Sequence, residues 1–196
     1  MEPITLTTER LVLRTLEPGD AEAVYQACQD PEISRYTSIP WPYTREHAAD
    51  FAGPVSAQGW ADDILYNFGA FTRDGGTLVG SLGLVRIGRI GPPDHQAELG
   101  YWAVKEHRGR GYTAEAGLAV CRWAFTDLGV ERMEWYADAG NEGSRAVARR
   151  IGFAMEGTQR AKVVHNGTRR DCWTGSLLPS DLGLALRTPY LPFPGA

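Results

Sequence analysis

Apolar and polar positions alternate in short runs at both ends of the chain and recur at helical spacing between them. Residues 10–16 alternate as a strand does, and Pro18-Gly19-Asp20 then breaks the run. Asp20 is a helix-capping residue type, which predicts a helix through about Gln29 that ends near Pro31. Residues 34–43 hold Tyr36, Pro40, Trp41, Pro42 and Tyr43 and read as a stiff aromatic loop. Thr44 is placed to cap a second helix, with Glu46 and His47 in its first turn, while residues 54–64 show no clear period. Residues 66–73 and 78–87 read as strands joined by the hairpin turn Asp74-Gly75-Gly76, with a Gly/Pro loop over 90–95. Leu99, Tyr101, Trp102, Ala103 and Val104 make an apolar, aromatic fourth strand. The long helix after it carries Leu118, Cys121, Phe125 and Leu128 as one stripe and stops at Gly129. A fifth strand over 133–137, a short helix over 141–151 and a last hairpin (158–164 with 169–177, around His165-Asn166-Gly167-Thr168) complete the pattern. Strands joined first by hairpins and then through helices predict one α+β (α/β-type) domain with a mixed sheet. That domain spans residues 1–178; residues 179–196, with four prolines and no period, read as a C-terminal arm or loose tail.

The densest chemistry lies where the fourth strand meets the long helix, in Lys105-Glu106-His107-Arg108-Gly109-Arg110-Gly111-Tyr112-Thr113. Gly109 and Gly111 let backbone approach an anion closely. Free N–H groups and the dipole at a helix start favour negative charge there. Arg108 and Arg110 add positive charge, so the pattern predicts a seat for a phosphorylated ligand.

HRGRGYTAEA at 107–116 resembles the acyl-CoA pyrophosphate loop of the GNAT superfamily of N-acetyltransferases. Residues 8–25 and IPWPYT at 39–44 resemble its RimJ/RimL branch, as do AELGYWAV at 97–104 and NEGSRAVARRIGF at 141–153. The similarity runs from residue 5 to about 178; Glu106 departs from the Gln or Arg common three places before Gly109. The resemblance implies a GNAT-like, mostly antiparallel seven-stranded sheet flanked by helices and splayed between strands four and five. Into that split the pantetheine arm of acetyl-CoA would pass. It further implies that Trp102, Ala103, Val104, Arg108, Gly109, Arg110, Gly111, Tyr112, Thr113, Asn141 and Ser144 meet the cofactor. In many relatives a Tyr seven residues after the motif Asn protonates the departing thiolate; here that position is Ala148. In the RimJ/RimL branch a Ser three residues after the Asn takes the role, which is Ser144 here.

Transfer of an acetyl group from a thioester to an amine requires a polarised carbonyl, a neutral amine and a proton for the thiolate. Backbone amides near Ala103 and Val104 are candidates for the first if the fourth strand is bulged there. Glu98 is the candidate base, because a carboxylate in an aromatic setting has its pKa raised toward neutrality. Ser144 is the candidate acid and Asn141 a cap and cofactor contact. Tyr36, Trp41, Tyr43 and Tyr101 are candidates to line the acceptor pocket, with Trp60 and Tyr136 as outsiders. His95 is a candidate neighbour of the site, and Cys172 a half-buried thiol on a late strand.

Composition narrows the alternatives. A chain of 196 residues can bury a real core, and its net charge of −4 does not favour nucleic acid. No apolar run spans a bilayer and no secretory signal opens the chain, so the expectation is a cytoplasmic protein. Cys28, Cys121 and Cys172 have neither disulfide-framework nor metal-ligand spacing. The reading is therefore an acetyl-CoA-dependent N-acetyltransferase. Its acceptor is a protein N-terminus or a small amine, without nucleic acid or membrane partners, and the C-terminal arm could support a homodimer. The competing readings are a catalytically silent acyl-CoA sensor or scaffold, and a phosphate binder unrelated to CoA. The loop lacks the Gly-Lys-Ser/Thr of nucleotide-binding loops, which disfavours the last.

Overall fold

The computed structural model describes residues 1–165 and 167–192, so Asn166 of the expected His165–Thr168 turn and the last four residues of the expected tail lie outside the described residues. The strands are β1 (Leu6–Thr7), β2 (Leu11–Arg14), β3 (Tyr66–Thr72), β4 (Leu78–Val85), β5 (Gln96–Ala103), β6 (Arg132–Asp138), β7 (Ala154–His165) and β8 (Thr168–Leu177). They form one sheet of eight, in the order β1-β2-β3-β4-β5-β6-β8-β7. The eighth strand is the two-residue β1, too short to leave a period in the sequence. The fourth and fifth strands of the sequence reading are therefore β5 and β6.

Every neighbouring pair is antiparallel except β5 and β6. Those two run parallel and pair only through Gln96, Ala97 and Glu98 with Arg132, Met133 and Glu134. Beyond Glu98 the strands part, which produces the expected splay.

Among the described residues six α-helices flank the sheet: α1 (Ala21–Ala27), α2 (Pro31–Tyr36), α3 (Arg45–Asp50), α4 (Ser56–Ala61), α5 (Tyr112–Thr126) and α6 (Glu142–Ile151). Asp20 holds the N-cap position of α1 but makes no side-chain capping bond there; its carboxylate accepts from the Glu17 N–H and pairs with Arg14 at 2.8 Å. Pro31 starts a helix rather than only ending one, since the fixed φ of proline suits the first helical position. Thr44 caps α3 reciprocally: its Oγ1 accepts from His47 N–H and His47 Nδ1 accepts from Thr44 N–H. Residues 54–64, patternless in sequence, hold the end of a π-helical stretch (Phe51–Val55) and then α4.

Two apolar clusters form the core. The larger gathers beneath α5 and α6 and includes Leu11, Leu13, Trp60, Phe68, Leu84, Leu99, Val120, Met133, Trp135 and Leu177. The smaller lies beneath α1–α3 and includes Leu16, Val24, Cys28, Ile33, Tyr43 and Phe71. On α5 the buried set is wider than one stripe: Ala114, Ala116, Gly117, Val120, Cys121, Trp123, Ala124 and Phe125 are all covered, and Leu118 sits on the flank. After β8 the chain does not leave the body at once. Pro179 is buried, Leu182 and Leu184 pack against the larger core, and Arg187 donates to the Thr126 carbonyl at 3.3 Å.

Candidate active site

The loop before α5 has the conformation that its glycines permit. Gly109 and Gly111 lie at φ 76° and 80°, the left-handed region. Gly111 is also the N-cap of α5, so the free N–H groups of the first turn begin there. No atom lies within 4 Å of where a Gly109 Cβ would project, which leaves the loop face open. An open cradle of amides at the start of a 15-residue helix fits a diphosphate.

Three neighbours shape the loop. Arg10, on the turn before β2, pairs with Glu115 of the first turn of α5 at 2.6 Å and donates to the Arg110 carbonyl at 3.1 Å. Its guanidinium also lies 4.6 Å from the Tyr112 ring centroid. Thr8 Oγ1 donates to the second Glu115 oxygen at 2.6 Å. Arg150, near the end of α6, brings its guanidinium to 3.3 Å from a Cβ built on Gly111. None of Thr8, Arg10, Glu115 or Arg150 was singled out in the sequence. Arg150 lies beside Ile151, the apolar anchor that presses against Gly117 of α5, and that adjacency was the available signal. Arg108 is turned differently from expectation. It donates to the Ala103 carbonyl at 3.1 Å and pairs with Asp30 at 2.5 Å, so its charge is matched within the fold. Arg110 is exposed, Tyr112 and Thr113 are half-buried, and Glu106 is exposed in a short turn over Lys105–His107.

The split itself carries the next group. β4 and β5 hold one register from Gly80–Ala103 to Val85–Glu98, so no bulge interrupts that side of β5. Val104 N–H donates to the Val79 carbonyl at 3.0 Å, which removes it as a free donor. Backbone direction alternates along a strand, so the Tyr101 and Ala103 amides point the other way, toward the strand from which β5 has parted. Splay rather than a bulge frees those amides.

Tyr101, Trp135 and Ser144 meet across the split from β5, β6 and α6. Trp135 Nε1–H donates to Ser144 Oγ at 3.0 Å, and Ser144 Oγ–H donates to Tyr101 Oη at 3.1 Å. Tyr101 Oη also donates to the Ser144 carbonyl at 2.8 Å. Asn141 caps α6, its Oδ1 accepting from Ser144 N–H at 3.0 Å. Burial pushes the Tyr101 hydroxyl up to about 12. Ala148 is fully buried.

Glu98 is the last β5 residue paired with β6 and lies opposite Glu134. Alternation along β5 puts it on the same face as Trp102, which packs toward the smaller core, while Tyr101 packs toward the larger one. The Glu98 side chain is 15% exposed and pairs with Arg86 at 3.2 Å. Burial raises its pKa above the usual carboxylate range; Arg86 opposes that rise and Glu134 adds to it. The Arg86 guanidinium also sits 5.9 Å from the Tyr136 ring centroid.

The aromatic candidates divide. Tyr36 is half-buried at the end of α2, with Arg35 over its ring, and the Arg35 carbonyl accepts from Arg170 at 3.0 Å. Trp41 is 57% exposed. Tyr43 is 5% exposed within the smaller core, and its hydroxyl reaches the His47 carbonyl, so its ring is a packing element. Trp60 is wholly buried against Tyr66, Phe68 and Trp123, away from any surface. The His95 carbonyl accepts from the Glu131 and Arg132 amides and ties its loop to the start of β6, and Cys172 is buried.

Comparison with known proteins agrees with this geometry. Residues 10–154 match the acetyltransferase (GNAT) domain family. The chain belongs to that family. It is 29% identical over 171 residues to the uncharacterized N-acetyltransferase YoaA of Bacillus subtilis (strain 168), covering 87% of this chain and 94% of that one. It is 32% identical over 152 residues to the ribosomal-protein-serine acetyltransferase of Escherichia coli (strain K12), covering 76% and 82%. The structure of RimL, the ribosomal L7/L12 alpha-N-protein acetyltransferase in complex with coenzyme A, superimposes with a TM-score of 0.75. It is 20% identical, with 90% of this chain and 98% of that one covered, which is a likeness of fold. The protein is an acetyl-CoA-dependent N-acetyltransferase of the GNAT family with a RimJ/RimL-like sequence. Among the described residues no helix is long and apolar enough to cross a membrane.

Proposed function

We propose that the protein acetylates a primary amine by direct attack on acetyl-CoA held in the β5–β6 split. The supporting observation is the parting of β5 from β6 directly after Glu98, with the Ser144 hydroxyl held at the same gap from the α6 side. Acetyl-CoA supplies the thioester carbonyl and a thiol leaving group. Amides of the Gly109–Thr113 segment hold its diphosphate, with Arg150 beside them. The Ala103 N–H donates to the thioester oxygen as negative charge develops there. Glu98, directly or through one water, takes the proton of the incoming amine; its raised pKa brings it nearer the pKa useful for such a base. Ser144 Oγ–H donates to the sulfur, and Asn141 fixes the turn that carries it.

Tyr36 and Trp41 stand as wall candidates on the acceptor side. The E. coli relative's name makes a protein N-terminal amine the first acceptor to test, beside small amines. The assay is release of CoA from acetyl-CoA across a panel of peptides and small amines, with Ser144→Ala alongside. Turnover on one acceptor class with a slow Ser144→Ala supports the reading. Tight acetyl-CoA binding with no turnover on any amine overturns it in favour of a silent binding module.

A further inference from the structure

A donor and an acceptor meet one side-chain oxygen inside the split. Ser144 Oγ accepts from Trp135 Nε1–H at 3.0 Å and donates to Tyr101 Oη at 3.1 Å. The Tyr101 hydroxyl is also 2.8 Å from the Ser144 carbonyl, so it is anchored to the same residue at two points. The three side chains come from β5, β6 and α6, which are joined by backbone pairing only at the far end of β5. Trp135 is 1% exposed and therefore a fixed post. Nothing in packing alone demands polar atoms here; a phenylalanine at residue 101 would fill the same ring volume.

We propose that Tyr101 and Trp135 are positioning residues for Ser144, fixing its hydroxyl at the sulfur and stabilising its oxygen as the proton leaves. This rests on the reading that Ser144 protonates the departing thiolate. As the sulfur–carbon bond breaks, its electron pair goes to sulfur, and the Ser144 proton, held on Tyr101 Oη in the free protein, turns to sulfur and follows. The serine oxygen, briefly an alkoxide, then accepts from the indole N–H and from the Tyr101 O–H, which swings from the Ser144 carbonyl. The proton that Glu98 took from the amine returns to Ser144 through water. The amine proton thus ends on sulfur and no other reactant is consumed. Burial keeps Tyr101 protonated throughout, so it serves as donor rather than acid. An ordinary serine hydroxyl is a very weak acid, and two donors to its charged form are what the task requires.

The test uses the full chain. In the free protein the Trp135 indole N–H resonance, followed by 15N-edited NMR, shifts in Ser144→Ala; an unmoved resonance overturns the proposal. In steady-state assays Tyr101→Phe lowers kcat on the order of 10- to 100-fold, the scale of one hydrogen bond to a charged group. The KM for acetyl-CoA stays near wild type, because the diphosphate loop is untouched. The deciding measurement is the double variant. If Tyr101 acts through Ser144, Tyr101→Phe adds nothing in a Ser144→Ala background. Multiplicative losses, or wild-type kcat in Tyr101→Phe beside a slow Ser144→Ala, overturn the inference while leaving Ser144 as the acid. Wild-type turnover in Ser144→Ala instead removes the acid assignment and the positioning role with it. If Tyr101→Phe does not fold, Trp135→Phe replaces it in the same cycle.

Discussion

The sharpest prediction concerns Gly109. Its φ of 76° lies where an L side chain costs roughly 1–2 kcal/mol, and the space around its Cβ position is open. Gly109→Ala therefore loses stability through backbone strain and not through a clash. For a chain of this size each kcal/mol moves Tm by about 2–4 °C, so Tm falls by about 2–8 °C. The same open space is where a bound diphosphate would stand, so the new methyl group also obstructs the ligand. CoA affinity, measured by calorimetry, falls by about 10-fold or more, the equivalent of ~1.4 kcal/mol. Gly109→Asn separates the two effects. Asparagine enters the left-handed region at lower cost, so Tm recovers toward wild type while CoA affinity stays low. If both variants melt at the expected temperatures yet bind CoA as the wild type does, the amide cradle is refuted.

Arg150→Ala leaves the loop backbone intact and weakens CoA binding about 3- to 10-fold, a loss that shrinks at high salt because the contribution is a screened charge. Calorimetry at two ionic strengths checks this, and a salt-independent loss contradicts it. Glu98→Gln lowers kcat with little change in the KM for acetyl-CoA. Because the acting form is the carboxylate and burial raises its pKa, wild-type activity declines as pH falls through that raised value, and the variant lacks this limb. Arg86 holds the Glu98 pKa down, so Arg86→Ala moves the acid limb to higher pH; the effect is small, since Arg86 is 70% exposed. Glu115→Gln breaks the contacts to Thr8 and Arg10 and costs about 1 kcal/mol at neutral pH. The Glu115 pKa is lowered in the fold, so its contribution is full above the unfolded value of about 4.3 and fades as pH falls below it. Urea unfolding at neutral and acid pH should show the two proteins converging.

Local signals carried far in this chain. The hairpin of β3 and β4, the long α5 and the Asn141 cap followed from turn residues, period and capping chemistry that act within a few residues. Pro31 misled because one residue both terminates and initiates helices. The π-helical stretch and α4 left no period, since Gly53 and Pro54 interrupt the helical pattern. In the site, the glycines of the loop were legible because positive φ selects them. Arg10, Arg150 and Trp135 were not, because each acts across a distance that only the tertiary fold sets. Tyr43 read as an acceptor-wall candidate, and Trp60 as an outsider, because an aromatic side chain looks the same in sequence whether it lines a pocket or fills a core. Val104 shows the finer limit: which edge of a strand an amide faces depends on register, and a one-residue step reverses it.

The parallel seam between β5 and β6 spans three residue pairs, extended at its start by the two amides that donate to the His95 carbonyl. Its strands are joined in sequence through the whole of α5, and three residue pairs are all the backbone pairing that this closure gains. Opening at that seam needs far fewer broken bonds than unfolding either half. Amide exchange on Gln96–Glu98 and Arg132–Glu134 should then run faster than on the flanking antiparallel strands, and mild heating should abolish CoA capture before far-ultraviolet dichroism changes.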